Sequence, residues 1–214
     1  MKTWLGMGFL VFAFVFSPLA LAEPVGITPE TSSVEVIHKG KPVKIERNQD
    51  NKNTIEADYA LTSRPCPPFC IRPIKLAPGV QTIGELEMLD YLVAAGKPGS
   101  KILVIDSRTP DWVAKGTIPG SVNLPWTLLK EDTSDPITIA GILEERFGAI
   151  DEDGLWNFSE VKTLVLFCNG MWCGQSPNNI LNLLKFGYPA DRIKWYRGGM
   201  QDWEMLGLTT VSGQ

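Results

Sequence analysis

The chain has 214 residues, 44% of them hydrophobic and 21% charged, a globular texture that excludes a collagen, a coiled-coil rod and a disordered tail. Twenty Lys and Arg against 24 Asp and Glu give a net charge of −4 with no long basic run, which argues against nucleic-acid binding. The single histidine, His38, excludes multi-His metal sites and weakens any Ser-His-Asp or Cys-His mechanism.

Residues 1–22 read as a secretory signal peptide. Lys2 gives a positive start, Trp4 to Phe16 is almost wholly apolar, Pro18 breaks the run, and Ala20-Leu21-Ala22 is an A-x-A cleavage site. The apolar run is short for a spanning helix of about 20 residues, so a retained membrane anchor is the weaker alternative. The expected mature chain, 23–214, loses Lys2 and carries a charge of −5. Export, with a leader style that suits a bacterial periplasm, sets the reading of the four cysteines. They fall into two close pairs, Cys66/Cys70 and Cys168/Cys173. In an oxidising compartment they suggest disulfides, in one of three connectivities. Neither pair is C-x-x-C, and no zinc site is expected.

Residues 23–78 read as an N-terminal extension. Ser33 to His38 and Pro42 to Arg47 alternate apolar and polar residues around Gly40, a β-hairpin pattern with His38 as a solvated turn residue. Arg64 to Pro73 holds four prolines besides Cys66 and Cys70, which denies it helix and central strand. It reads as a rigid extended connector. The alternative is a clip, with Cys66 and Cys70 joined to each other or lying near the second pair.

Residues 79–214 alternate strand and helix. Thr82 with Glu85 suggests a capping box ahead of Leu86, Leu89 and Leu92. Ile102–Ile105 and Thr163–Phe167 are continuous apolar runs, as in parallel strands buried on both faces. Ser121–Leu124 and Ile193–Tyr196 are further strands. Ile137–Phe147, Asn178–Phe186 and Met200–Leu206 have helical spacing. The expected architecture is an α/β parallel sheet flanked by helices, with the hairpin as an extension.

Sites in such sheets lie beyond the carboxyl ends of the strands. One strand runs into Asp106-Ser107-Arg108. Another runs into Cys168-Asn169-Gly170-Met171-Trp172-Cys173-Gly174-Gln175-Ser176-Pro177, with Ser176 as N-cap and Pro177 at the first helical position. A loop entering a helix N-terminus offers unpaired N–H groups to an anion and lowers the pKa of a cysteine there. No phosphate-binding, EF-hand or haem motif occurs, so no cofactor is expected. Trp112, Trp126, Trp195 and Trp203 read as core packing. Trp172 either walls the pocket or covers the sheet edge.

Four segments in order resemble a rhodanese domain from about Gly79 to Val211. Ile105-Asp-Ser-Arg108 resembles the family's strand-end D-x-R. Gly116-Thr-Ile-Pro-Gly-Ser-Val-Asn-Leu-Pro125 resembles its G-H-I-P-G-A-x-N-x-P, with Thr117 replacing the histidine. Cys168 stands where the family has its persulfide cysteine. Tyr196-Arg-Gly-Gly-Met-Gln-Asp-Trp203 followed by Gly207-Leu208 resembles its closing motif. The resemblance implies sulfur transfer, with Cys168 as nucleophile. Asn169, Gly170, Met171, Trp172, Gly174, Gln175 and Ser176 would line the loop that binds the anion, and Asp106 and Arg108 would brace it. The implied partners are a small anionic sulfur donor such as thiosulfate, a thiol acceptor and, in an oxidising compartment, a periplasmic redox partner.

The chain departs from the family in carrying no Lys or Arg between Asn169 and Gln175, in a longer loop, and in a second cysteine, Cys173. Phosphatases and arsenate reductases of this fold need an arginine where this chain has Gly174, which disfavours phosphoryl chemistry. Two alternatives stay open: a thiol-disulfide protein cycling Cys168 with Cys173, and a silent rhodanese-fold binding module whose cysteines are all structural.

Overall fold

The structure, a computed structural model, describes residues 24–213. The signal-peptide expectation for residues 1–22 lies outside the described residues. Strands β1 (Ser33–His38) and β2 (Lys41–Glu46) form an antiparallel hairpin. Its two-residue turn holds Lys39 at φ 49° and Gly40 at φ 75°, the doubly left-handed turn that matches strand twist. Helix α1 (Ala57–Ala60) follows. Then come β3 (Gln81–Ile83), α2 (Glu85–Ala95), β4 (Ile102–Asp106), α3 (Pro110–Val113), β5 (Val122–Asn123) and α4 (Pro136–Gly141). A second hairpin joins β6 (Ile150–Glu152) to β7 (Leu155–Asn157). The chain closes with β8 (Thr163–Phe167), α5 (Gln175–Lys185), β9 (Ile193–Tyr196) and α6 (Gly199–Met205).

The central sheet has the order β3-β9-β8-β4-β5, with every pair parallel. Side chains alternate faces along a strand, and β8 shows what that does for a buried run. Leu164 and Leu166 enter the core on one face with Ile105, Leu183 and Trp195. Val165 and Phe167 enter the other face with Val104, Met88, Leu92 and Trp203. Each such side chain, taken fully from water, contributes about 1.5–3 kcal/mol before entropy is charged against it. The first hairpin joins the second face through Val36 and Ile45, which are 1% and 0% exposed.

Several local expectations need correction. Thr82 lies in β3, not at a helix cap. The cap is Gly84, whose N–H donates to the Glu87 carboxylate at 3.0 Å, so the same spacing acts two residues later. The helix expected to end at Phe147 is α4 followed by a wider π turn, Ile142–Arg146, closed by Phe147 N–H to Ile142 O at 3.2 Å. The strand expected over 121–124 shortens to β5. His38 is not merely solvated: its Nδ1 accepts from the Gly120 N–H at 3.1 Å, tying the hairpin to the domain. Burial, then nearby Lys39, holds its pKa below the ordinary value. The connector is not extended throughout. It turns at 66–69, where Cys66 and Cys70 are disulfide-bonded with Cα atoms 4.7 Å apart.

Candidate active site

Strands β4 and β8 are neighbours, so their carboxyl ends bring Asp106-Ser107-Arg108 beside Cys168. The Ser107 N–H donates to Phe167 O at 2.9 Å and extends that register past the strand. Asp106 and Arg108 are each 0% exposed. Arg108 Nε reaches both Asp106 oxygens at 2.9 and 3.0 Å, and its Nη2 donates to Asp106 Oδ2 at 2.6 Å. The remaining donors go to Gly116 O at 2.6 Å, Trp112 O at 3.3 Å and Tyr59 Oη at 2.9 Å. Burial alone would lower the Arg108 pKa, but its Asp106 pairing outweighs this and holds it above its ordinary value. Thr117, standing where the resembling motif has histidine, donates to Asp106 Oδ2 at 2.7 Å. The pair is spent on protein groups. It holds Gly116 and Thr117, touches the cysteine loop through Tyr59, whose hydroxyl donates to Asn169 Oδ1 at 3.4 Å, and interacts electrostatically with the Cys168 sulfur through Arg108.

The loop from Cys168 to Gly174 joins β8 to α5. The helix begins at Gln175 with Gly174 at its cap, so Ser176 is not the N-cap. Its hydroxyl instead donates to Cys168 Sγ at 3.1 Å. Cys168 and Cys173 are free thiols, 2% and 4% exposed. Burial pushes the Cys168 thiol up. Hydrogen bonds from Cys173, Ser176 and the N–H groups of Ser176 and Gly170 outweigh that and bring it down to about 7. Burial and the adjacent Cys168 sulfur push Cys173 well above the ordinary thiol value, although the N–H groups of Gln175 and Asn169 partly oppose this. Cys168 is therefore the sulfur of the pair that ionises first, and Cys173, whose thiol also lies 3.5 Å from Gln175 Oε1, keeps its proton when it does.

Among the loop residues expected to line an anion site, Asn169, Gly170, Gln175 and Ser176 thus turn their N–H groups toward the two sulfurs. The Cys173 N–H closes a turn onto Gly170 O at 2.9 Å. Trp172 is 8% exposed, and its indole N–H donates to Gln201 Oε1 at 2.8 Å. Gly199, at φ +57°, lets α6 start against the loop, since a Cβ there would stand 2.3 Å from Cys168 O. Only glycine tolerates that approach. The Met200 N–H then donates to Cys168 O at 3.0 Å, and the Gln201 N–H to Asn169 O at 2.9 Å.

The extension also reaches this site. Phe69 meets Trp172 edge to face, with ring centroids 5.6 Å apart. The Arg64 guanidinium lies 3.8 Å from the Trp172 ring centroid. The Arg72 N–H donates to Met171 O at 2.9 Å, and the Gln201 amide donates to Tyr59 O at 2.8 Å. Tyr59, Arg64, Phe69 and Arg72 were not expected at the site, because their proximity to Cys168 depends on how the extension folds back, whereas Arg197 and Gln201 lie in the closing motif 196–203 but were given no site role. Trp195 and Trp203 are core as expected, at 1% and 0% exposure. Trp112 and Trp126 are only partly buried, with Lys115 and Lys130 over their rings at 4.6 and 5.8 Å.

No curated protein matches the chain. Among solved structures it is similar to a rhodanese-related protein from Thermoplasma volcanium, at 20% identity over 61% of this chain and 97% of that one, with a TM-score of 0.39. It is similar to a human single-domain sulfurtransferase at 19% identity, over 58% of this chain and 96% of that one, with a TM-score of 0.39. It is also similar to a thiosulfate sulfurtransferase from Pseudomonas aeruginosa at 18% identity, over 63% of this chain and 21% of that one, with a TM-score of 0.41. The family model described as the rhodanese-like domain matches residues 90–206. That span covers more than half of the chain and includes Asp106, Arg108, Cys168 and the turn into α6, so the chain belongs to the rhodanese-like domain family.

Proposed function

We propose that the protein is a rhodanese-type sulfurtransferase or sulfur carrier working through a persulfide on Cys168. The observation that carries this reading is the Cys168 thiol, held near pKa 7 beside the start of α5 by Ser176 and by inward-facing N–H groups. A thiolate is the nucleophile in sulfur chemistry. With thiosulfate, the Cys168 thiolate attacks the outer sulfur. The new S–S bond forms as the donor's S–S bond breaks, and sulfite leaves with the bonding pair. A thiolate or cyanide then attacks the outer persulfide sulfur, and Cys168 leaves as the thiolate, so no external oxidant is needed. In this reading Cys173 keeps its proton and shares it with whichever sulfur anion is present. Asp106 and Arg108 act as bracing groups.

The reading includes export to an oxidising compartment such as a periplasm, which the Cys66–Cys70 bond supports. One observation favours a second use of the same pair. Cys168 and Cys173 are both reduced and hydrogen-bonded, so thiol-disulfide exchange with a disulfide-bonded partner, which would take up the two electrons and two protons, would join them and switch the nucleophile off.

The test is steady-state turnover of thiosulfate and cyanide to thiocyanate and sulfite by the mature chain. Turnover that vanishes in Cys168→Ser is expected. Equal turnover in that variant would move the nucleophile to Cys173, and none in the reduced native protein would leave a silent binding module.

A further inference from the structure

We infer that Arg72, from the N-terminal connector, supplies the cation that binds the anionic end of the sulfur donor, a role resting on the sulfur-transfer reading above. The loop 169–175 carries no Lys or Arg. The gap is filled from outside it. A Cβ on Gly174 would stand 2.5 Å from Arg72 Nη2 and 3.3 Å from its Cζ. The tip of the guanidinium therefore lies against the residue that caps α5, in the space a side chain at position 174 would take.

Its position is fixed at the backbone. The Arg72 N–H donates to Met171 O at 2.9 Å, and Arg197 grips Arg72 O with Nη2 at 2.8 Å and Nε at 3.2 Å. The guanidinium itself is left nearly idle. Its one donation, Nη2 to Pro68 O, is 3.5 Å long, and its Nε is buried without a partner. Arg64, stacked on Trp172, has a buried Nε in the same condition. Neither arginine pairs with a carboxylate among the described residues, although acids outnumber bases in the chain.

A buried donor without an acceptor is costly. Two of them, on arginines packed against Trp172 and Gly174 of the cysteine loop, point to an acceptor that arrives with the substrate. Its chemistry is that of an oxyanion, because a planar guanidinium matches paired oxygens. The sulfonate end of thiosulfate fits, with the sulfane sulfur toward Cys168.

The experiment titrates thiosulfate into the Cys168→Ser protein, where no persulfide can form, and follows binding by calorimetry and the Gly174 amide resonance. Arg72→Ala in that background should weaken binding about ten- to a hundredfold, the span of one lost charge-assisted contact. Arg72→Lys should fall between, and Lys97→Ala, on the exposed surface, should bind like the parent. Equal affinity in Arg72→Ala, or no thiosulfate binding by the parent, would overturn the assignment. Should Arg72→Ala fail to fold, Arg72→Gln decides by the same criterion. Arg72-dependent binding with no persulfide on the native protein would strike only the sulfur-transfer reading. Persulfide formation with a thiosulfate KM indifferent to Arg72 would strike only this one.

Discussion

The Ser176 hydroxyl donates to Cys168 Sγ at 3.1 Å, and its direction is set from behind. The indole N–H of Trp195, on the neighbouring strand β9, donates to the Ser176 oxygen at 3.1 Å. A hydroxyl has one hydrogen to give. With a lone pair occupied by Trp195, that hydrogen goes to the sulfur, so a core tryptophan helps to keep the cysteine ionised.

Ser176→Ala should therefore raise the Cys168 pKa. A hydrogen bond to a charged group is worth about 1.5–3 kcal/mol, which corresponds to about one to two pH units. In the native protein, alkylation of Cys168 by iodoacetamide should rise with pH through about 7. In the variant the same midpoint should lie clearly higher, and an unmoved midpoint would remove Ser176 from the account.

Arg108→Ala should destabilise the fold by about 3–5 kcal/mol, because it leaves Asp106 charged, buried and short of its main partner. Urea unfolding at constant pH measures this. Asp106→Ala should cost a similar amount. An Arg108→Ala protein with native stability and no turnover would instead give Arg108 a direct role in the chemistry.

Gly199→Ala should cost at least about 1 kcal/mol from its left-handed backbone alone. It should also displace the loop, because the added carbon would meet Cys168 O. Thermal unfolding reads the first effect, and a raised alkylation midpoint at Cys168 reads the second.

Stability should also depend on Glu204. Burial, then repulsion from Glu56, raises its pKa to about 7. An acid whose folded pKa exceeds its unfolded value favours the folded state at low pH. That contribution is full below its ordinary value near 4.5 and is lost as pH rises through about 7. Glu204→Gln should therefore leave unfolding unchanged near pH 3.5 and raise the Tm relative to the native protein near pH 8. An equal Tm at pH 8 would contradict this.

The sheet was legible because Ile102–Ile105 and Thr163–Phe167 are apolar on both faces, and only a doubly covered parallel strand has use for that. Cys168 and Asp106 were legible because such strands deliver their ends to one place. Ser176 was misread because its type suits a cap, whereas its hydroxyl is spent on sulfur. The hairpin of β6 and β7 was missed although Asp153-Gly154, at φ 54° and 85°, is a strong turn pair. Its strands are short and mostly exposed, so they lack the apolar alternation that marks a half-buried strand. Tyr59 and Arg72 could not be read at all. Their roles come from contacts across 110 residues and more (Tyr59 with Asn169, Arg72 with Arg197), which no local pattern encodes.

The central claim is that Cys168, and not Cys173, carries the sulfur. Both cysteines fall in one tryptic peptide, Thr163–Lys185, so the measurement is fragment-ion mass spectrometry of that peptide after brief exposure of the reduced protein to thiosulfate. One additional sulfur localised to Cys168 is the predicted result. The added sulfur on Cys173, or a peptide unchanged by thiosulfate, would contradict the account.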